Sequence, residues 1–454
     1  MAFRQQFKAA ALAGAVFISI TAIHPAQAES LADAMRSAYR NNPTLEADRA
    51  RQRSTDERVP AAKSGWRPTI NAEGSVTETF SNTDVTPRDR RTSANVNIQL
   101  SQPLFRGFRT VEGIRSAKAT VKAGRQQLLS TEQSVLFNVA AAYLTVVRDR
   151  RILSIRQQNV TNLQKQATAA NARFEAGEVT RTDVSQSRAR VSGAQGDVAT
   201  AKANLEGSIA DYEEVVGHKP GKLKYSRLGR VPRNLNAALD IAQEINPQIL
   251  TAAWVYDASV HDVNVSKGEL LPELNLRATA QRNENPQRGI DFSESATISG
   301  VLSVPIYQAG REYATIRQNK QLASQRQVQI IEATRRVRQQ VTSAWYTLVS
   351  SAQSITAAKA QVAAAVLALN GIDQEYLVGS RTLIDVLNAQ QEVLNAQLGL
   401  VNAEYGQMIS SYQLLQAMGK LTARTLALGG EYYDPTDYYD YVKNKWIGYN
   451  TNPY

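Results

Sequence analysis

The chain of 454 residues contains no cysteine. That excludes disulfides, thiolate metal sites and cysteine nucleophiles, and also a lipid-modified N-terminal cysteine after export. Histidine is nearly as scarce. Only His218 and His261 lie beyond residue 28, outside any ligand-spaced cluster. No P-loop, GxSxG or HExxH occurs, so no cofactor or metal is expected and an enzyme is not indicated. Past residue 28 no stretch approaches the roughly 20 apolar residues of a membrane helix. A later encounter with a membrane would have to use β-strands or the protein surface. The net charge of +11 is modest for this length, and its basic residues are interleaved with acids and glutamines. Without a basic tract, nucleic acid is not an expected partner.

Proline is absent from Leu104 to Lys219 and again from Ile306 to Asp434. Proline is costly inside a helix, so each gap predicts a long helical run. Each run has one strong interruption, Gly177 in RFEAGEVTRTD and Gly379 in EYLVGSRTLID. Each therefore reads as a helical hairpin with its tip at that glycine and a first arm of roughly 100 Å at 1.5 Å per residue. The second arms carry heptad rows. Val184, Val191, Val198, Leu205 and Tyr212 form one row, and the smaller Ser187, Ala194, Ala201, Ser208 and Val215 follow it. In the later hairpin Leu387, Leu394, Val401, Met408 and Leu415 add a third stripe, which predicts more than one helical neighbour.

The first residues have the order of a secretory signal. Arg4 and Lys8 precede an apolar core from Ala9 to Ile23, and Ala26-Gln27-Ala28 is a small-x-small cleavage site. The rest of the chain aligns with itself. At an offset of 204, Asn42, Pro43 and Pro68 match Asn246, Pro247 and Pro272. At 202, Pro103, Gly177, Asp183 and Gly217 match Pro305, Gly379, Asp385 and Gly419. Such self-similarity sets the architecture. The expected division is a signal peptide at 1–28, a first repeat at 29–233, a second at 234–420 and an aromatic-rich tail at 421–454. The repeats hold β-hairpins at about 67–105 and 272–305, and helical hairpins at about 106–217 and 306–419.

Inside each repeat the period changes to two. Ile70, Ala72, Gly74, Val76 and Phe80 alternate with polar residues, as do Val96, Ile98 and Leu100, then Leu274 to Ala280, then Ala296 to Val304, with Glu78 on the apolar side and Val301 on the polar side as exceptions. Strands of about ten residues are expected, long enough to cross a bilayer at a tilt. Long polar hairpin loops are expected from Ser81 to Ser93 and from Asn283 to Glu294. Four strands cannot close a barrel, and open edges are not tolerated in lipid, so spanning strands require several chains. The alternation also fits two half-buried hairpins packed on the helices of a soluble protein.

NNPTL with INPQI, QPLFRGFR with VPIYQAGR, and GEVTRTDV with GSRTLIDVLNAQ, all in register twice, resemble the TolC family of outer-membrane efflux ducts, in its unlipidated branch. The resemblance implies an α+β membrane protein in the outer membrane with a large periplasmic part. It implies a homotrimer whose chains each give four strands to a shared twelve-stranded barrel, continued by a coiled-coil periplasmic tunnel of twelve helices. It implies exit of small molecules or secreted proteins (type I secretion), coupled through a periplasmic adaptor, or membrane fusion, protein to an inner-membrane ABC or RND-type transporter. Tyr376 and Arg381 resemble the family's gating pair, with Thr182 and Asp183 as partners. Asp385 resembles its constriction aspartate. Asn388 stands where some members carry a second Asp, which predicts weaker cation selectivity. By themselves Asp183 and Asp385 also read as helix N-caps, Arg381 as a solvated charge and Tyr376 as packing. The competing class is a periplasmic structural or adaptor coiled-coil protein without a pore. The tail, rich in Tyr from Tyr432 onward, is expected against the outside of the tunnel or partly disordered, with a membrane-interface role disfavoured by its place after the second hairpin.

Overall fold

The computed structural model describes residues 29–82, 84, 88–224 and 229–451. The signal peptide expected at 1–28 lies outside them. One order of elements occurs twice. Helices α1 (Leu31–Asn41), α2 (Pro43–Asp56) and α3 (Arg58–Lys63) lead into strands β1 (Thr69–Ser81) and β2 (Asp89–Arg106), then α4 (Arg109–Glu175) and α5 (Arg181–Val216). The second pass runs through α6 (Leu235–Ile245), α7 (Pro247–Gly268), β3 (Glu273–Gln287), β4 (Ile290–Ser303), α8 (Arg311–Leu377) and α9 (Leu383–Ala417). A short α10 (Asp437–Val442) lies in the tail.

The recurrent Asn-Pro has a local and a distant purpose. Asn42 ends α1 and caps α2, accepting from the Thr44 amide (3.0 Å), and Pro43 opens the helix where its missing N–H costs nothing. Asn246 does the same between α6 and α7, accepting from Gln248 (2.9 Å). Each amide nitrogen then donates to the end of its repeat's second arm: Asn42 to the Val215 carbonyl (2.9 Å) and Asn246 to that of Ala417 (2.8 Å). The short helices are thus tied to the long ones at equivalent points.

α4 and α8 span 67 residues each, about 100 Å. α5 packs on α4, and α9 packs on both α8 and α4. In α5 the small row is buried at Ser187, Ala194, Ala201 and Ser208, and the larger row at its ends, Val184 and Tyr212. All of Leu387, Leu394, Val401, Met408 and Leu415 on α9 are buried, the stripe that predicted a further neighbour. The main core forms midway along the long helices. There α1 and α6 press Leu31, Met35 and Ala238 onto Leu136, Val139, Tyr143, Val341 and Leu414. Full burial of each large aliphatic there stabilises by about 1.5–3 kcal/mol.

The strands form one antiparallel meander in the order β1-β2-β3-β4. They are longer than the alternation predicted, with 13, 18, 15 and 14 residues. The long second loop expected from Asn283 to Glu294 is mostly strand: β3 continues to Gln287 and β4 begins at Ile290, around a turn at Gly289 (φ +83°). Polar residues there still pair across the hairpin, because ladder hydrogen bonds do not depend on side-chain polarity. At the base of β2 the chain turns through two left-handed residues, Gly107 and Phe108, into α4. A side chain at Gly107 would strike the Gly268 carbonyl at the end of α7, 2.3 Å from an added Cβ. The matching turn before α8 uses Ala309 and Gly310, also left-handed.

Candidate functional site

The sheet presents its apolar face to the surroundings. Ile70, Val76, Phe80 and Ile298 are 67, 74, 68 and 78 % exposed. None of the long helices covers the sheet. This overturns the half-buried arrangement that the alternation alone allowed, since such strands would have covered one face. Toward the hairpin loops the apolar face is interrupted by charges that pair with one another. Arg90 donates to Glu78 (2.5 Å), and Arg282 holds Glu294 (2.9 Å). From Ile70 to Phe80 the strand covers roughly 33 Å. At a 45° tilt that is about 23 Å of height, close to the apolar band of a membrane barrel. The outer edges of β1 and β4 have no strand partner among the described residues.

At the far end of the long helices lie the two tips. Gly177 and Gly379 take φ of +77° and +81°, a conformation that glycine adopts without strain. The next residue in each case, Glu178 or Ser380, returns its amide to the carbonyl five positions back, Arg173 or Glu375 (2.9 Å each). This satisfies the end of the helix. The following helix opens with a capping box. The Asp183 carboxylate accepts from the Thr180 amide (2.9 Å) and hydroxyl (2.7 Å), and that of Asp385 from the Thr382 amide (3.0 Å) and hydroxyl (2.7 Å). The N-caps are therefore Thr180 and Thr382, and the aspartates sit at the third helical position. These bonds, helped by the nearby charge of Arg381, hold the Asp385 carboxyl below the ordinary aspartate range.

The remaining residues of the second tip divide between partners. Arg381 donates to Glu375 on its own hairpin (2.7 Å), which holds the guanidinium above its usual range. Tyr376 packs with Leu383 and Leu387 against Leu163, Ala170 and Ala194 of the first hairpin. The Arg173 guanidinium lies over its ring, 4.7 Å from the centroid. Asn388 accepts from Arg190 of the first hairpin (2.9 Å). Thr182 is exposed beside Asp183. Within one chain, then, the expected Tyr376, Arg381, Thr182 and Asp183 stand at neighbouring tips, while Arg381 and Asp183 each bond within their own hairpin. The ties between hairpins fall to Arg173 and Arg190, which sequence reasoning missed. A signal existed for the first: at the offset of 202, Arg173 faces Glu375, a reversal of charge between otherwise matching tips.

The comparisons with known proteins agree with this architecture. The family model described as outer membrane efflux protein matches residues 34–217 and again 238–420. The outer membrane efflux protein BepC of Brucella suis is 38% identical over 97% of this chain and 96% of its own length. The outer membrane protein TolC of Escherichia coli K12 is 26% identical over 88% and 84%. Among solved structures, CusC superposes with a TM-score of 0.78 over 86% of this chain and 91% of its own, at 16% identity, a likeness of fold. The exposed strands, the long helical hairpins and these relatives together establish that the chain belongs to the outer membrane efflux protein family and is an outer-membrane channel-tunnel for export, not an enzyme.

Proposed function

We propose that three copies of the chain assemble, each giving its four strands to one twelve-stranded barrel and its four long helices to one periplasmic tunnel. The observation that carries this reading is the sheet: an exposed apolar face with an unpartnered strand at each outer edge. An edge in lipid leaves backbone groups unsatisfied, and joining β4 of one copy to β1 of the next removes every edge. Against the expectation that no later stretch is apolar enough for a membrane helix, α8 holds an exposed one that is, by length and composition, and neighbouring helices then cover it. The domain division stands with this reading, as two repeats at 29–233 and 234–420 that each form one sixth of the wall.

The duct passes small molecules, secreted proteins or both, without an energy source of its own. An inner-membrane ABC or RND-type transporter drives it through a periplasmic adaptor. The tips are the closed end. Tyr376, Arg381, Thr182 and Asp183 hold it shut, and three Asp385 carboxylates around one axis attract cations and repel anions. Asn388, tied to Arg190, adds no charge to that ring. The absence of native cysteine makes assembly directly testable. Glu73→Cys on β1 and Ser299→Cys on β4, treated in outer membranes with a flexible bismaleimide, give bands up to a trimer and no larger. A chain that stays monomeric and fractionates as a soluble periplasmic protein would instead be the poreless coiled-coil protein.

A further inference from the structure

The tail does not leave the molecule where α9 ends. It folds back along α2 and α3 and runs toward the sheet, and three contacts mark the path in order. The Tyr438 hydroxyl donates to Glu57 (2.7 Å). Lys63 donates to the Lys443 carbonyl (2.8 Å) and to Asn444 Oδ1 (2.7 Å). The Arg67 guanidinium lies over the Trp446 ring, 4.9 Å from its centroid. Arg67 stands two residues before Thr69, where β1 begins. The tail therefore arrives at the level where the chain enters the membrane, against the expectation drawn from its position in sequence.

What it brings there is apolar, aromatic and basic. Trp446, Ile447 and Tyr449 are 65, 89 and 96 % exposed. Trp66 on the adjoining turn is partly exposed as well. Lys63, Arg67, Lys118 and Lys443 crowd together closely enough that, after burial, their mutual repulsion helps hold the Lys63 ammonium below its ordinary value. Lys445 adds a further cation beside Asn450, to whose carbonyl it donates (2.6 Å). Among the described residues Arg67 stacks on Trp446 and has no carboxylate partner. Aromatic rings with one wet edge collect at membrane interfaces, and cations there meet lipid phosphate.

The level fits. Ile70, the first apolar residue of the lipid-facing row, is three positions beyond Arg67, about 10 Å of strand or 7 Å of height at a 45° tilt. The headgroup layer on each side of the hydrocarbon is roughly 5–7 Å deep. The surface is continuous with the apolar band of the strands, and its charge is complementary to an anionic headgroup. We propose that residues 445–450, with Arg67, form a lipid-headgroup site in which Trp446, Ile447 and Tyr449 insert into the periplasmic leaflet and Arg67 and Lys445 take the phosphate of an anionic phospholipid. The site rests on the reading of β1–β4 as lipid-facing barrel strands. It gives the tail a function: it fixes the height of the duct in the bilayer from outside the barrel wall.

The test is quenching of Trp446 by brominated phospholipids in vesicles that contain the full-length protein. The difference between the wild-type chain and Trp446→Phe isolates this ring from the other tryptophans. Vesicles are phosphatidylcholine with a minor share of phosphatidylglycerol, brominated either near the headgroup or near the chain ends. The expected result is roughly twofold stronger quenching of Trp446 by the shallow bromines, with Arg67→Gln reducing the gain that phosphatidylglycerol gives over pure phosphatidylcholine. A Trp446 quenched by aqueous iodide and by neither lipid, or by none of the three because a neighbouring copy covers it, overturns the proposal. Ile298→Trp in the Trp446→Phe background separates the two readings. If it is quenched by deep bromines while Trp446 is quenched by neither brominated lipid, the headgroup site alone fails. If it is not quenched either, the barrel reading fails first.

Discussion

The two hairpin tips share a backbone and differ in chemistry. Both turn on a left-handed glycine, both return an amide five residues back, and both restart with a Thr–Asp capping box. Yet the first tip ends its descending arm with the cation Arg173 and carries the acid Glu178 beyond the turn, 4.0 Å away. The second ends with the acid Glu375 and carries the cation Arg381. Phe174 and Val179 in the first stand where Tyr376 and Arg381 stand in the second. The difference teaches that the duplicated frame is kept at both tips, while the departures from it set the second tip apart, where the proposed gate has its tyrosine and arginine.

The strongest way to break the comparison is to make the tips alike. Tyr376→Phe with Arg381→Val imports the first tip into the second, and dye-loaded vesicles containing the protein then leak several-fold faster than with the wild-type chain. A smaller effect separates the two aspartates. Asp385→Ala and Asp183→Ala each lose a capping box, a cost of about 1 kcal/mol in stability, so thermal melts move together. Only Asp385→Ala shifts the reversal potential toward lower cation preference. Equal shifts from both would remove Asp385 as the filter. Because the Asp385 carboxyl is held below its ordinary value of 3.8, the expected preference survives as pH falls to that value and fades only below it.

The halves also differ near the sheet, and that difference predicts a pH effect. Asp56 on α2 is fully buried, with Gln52 donating to it (2.8 Å) and one carboxylate oxygen without a partner. At the offset of 204 the second half has Val260. Burial pushes the Asp56 carboxyl up to about 6. Between its ordinary value of 3.8 and that point the folded state holds the proton more tightly than the unfolded one. Stability therefore falls as pH rises through this window and is level above it. Asp56→Asn cannot ionise and loses the slope, so its advantage in melting temperature over the wild-type chain is larger at pH 8 than at pH 4. The smallest effect is shared by both tips. Gly177→Ala and Gly379→Ala each meet open space but a left-handed backbone, and each costs about 1 kcal/mol in thermal unfolding.

Much of this frame was legible because it is periodic or local. The proline gaps predicted α4 and α8, and the alternation predicted all four strands. The Thr-x-x-Asp spacing of the capping boxes was legible too, although the aspartates read as N-caps until Thr180 and Thr382 took that place. What stayed hidden depends on residues far apart in the chain. Arg190 meets Asn388 only because two separate hairpins align, and Arg173 lies over Tyr376 for the same reason. The tail packs on the outer helices as expected, but sequence order gave its starting point and no direction along them. The pairs Glu57–Tyr438, Lys63–Lys443 and Arg67–Trp446 show where it goes. The strands outran their apolar alternation because the ladder pairs backbone groups whatever the side chains are.

The central claim is a membrane duct closed at the second tip. Single-channel recording in planar bilayers tests it most directly, comparing the wild-type chain, Tyr376→Phe with Arg381→Ser, and the mirror change Phe174→Ala with Val179→Ser at the first tip. The account predicts discrete channels from all three, a several-fold larger conductance from the second-tip variant and wild-type conductance from the mirror variant. Absence of channels, or equal conductance in the wild-type chain and the second-tip variant, would contradict it.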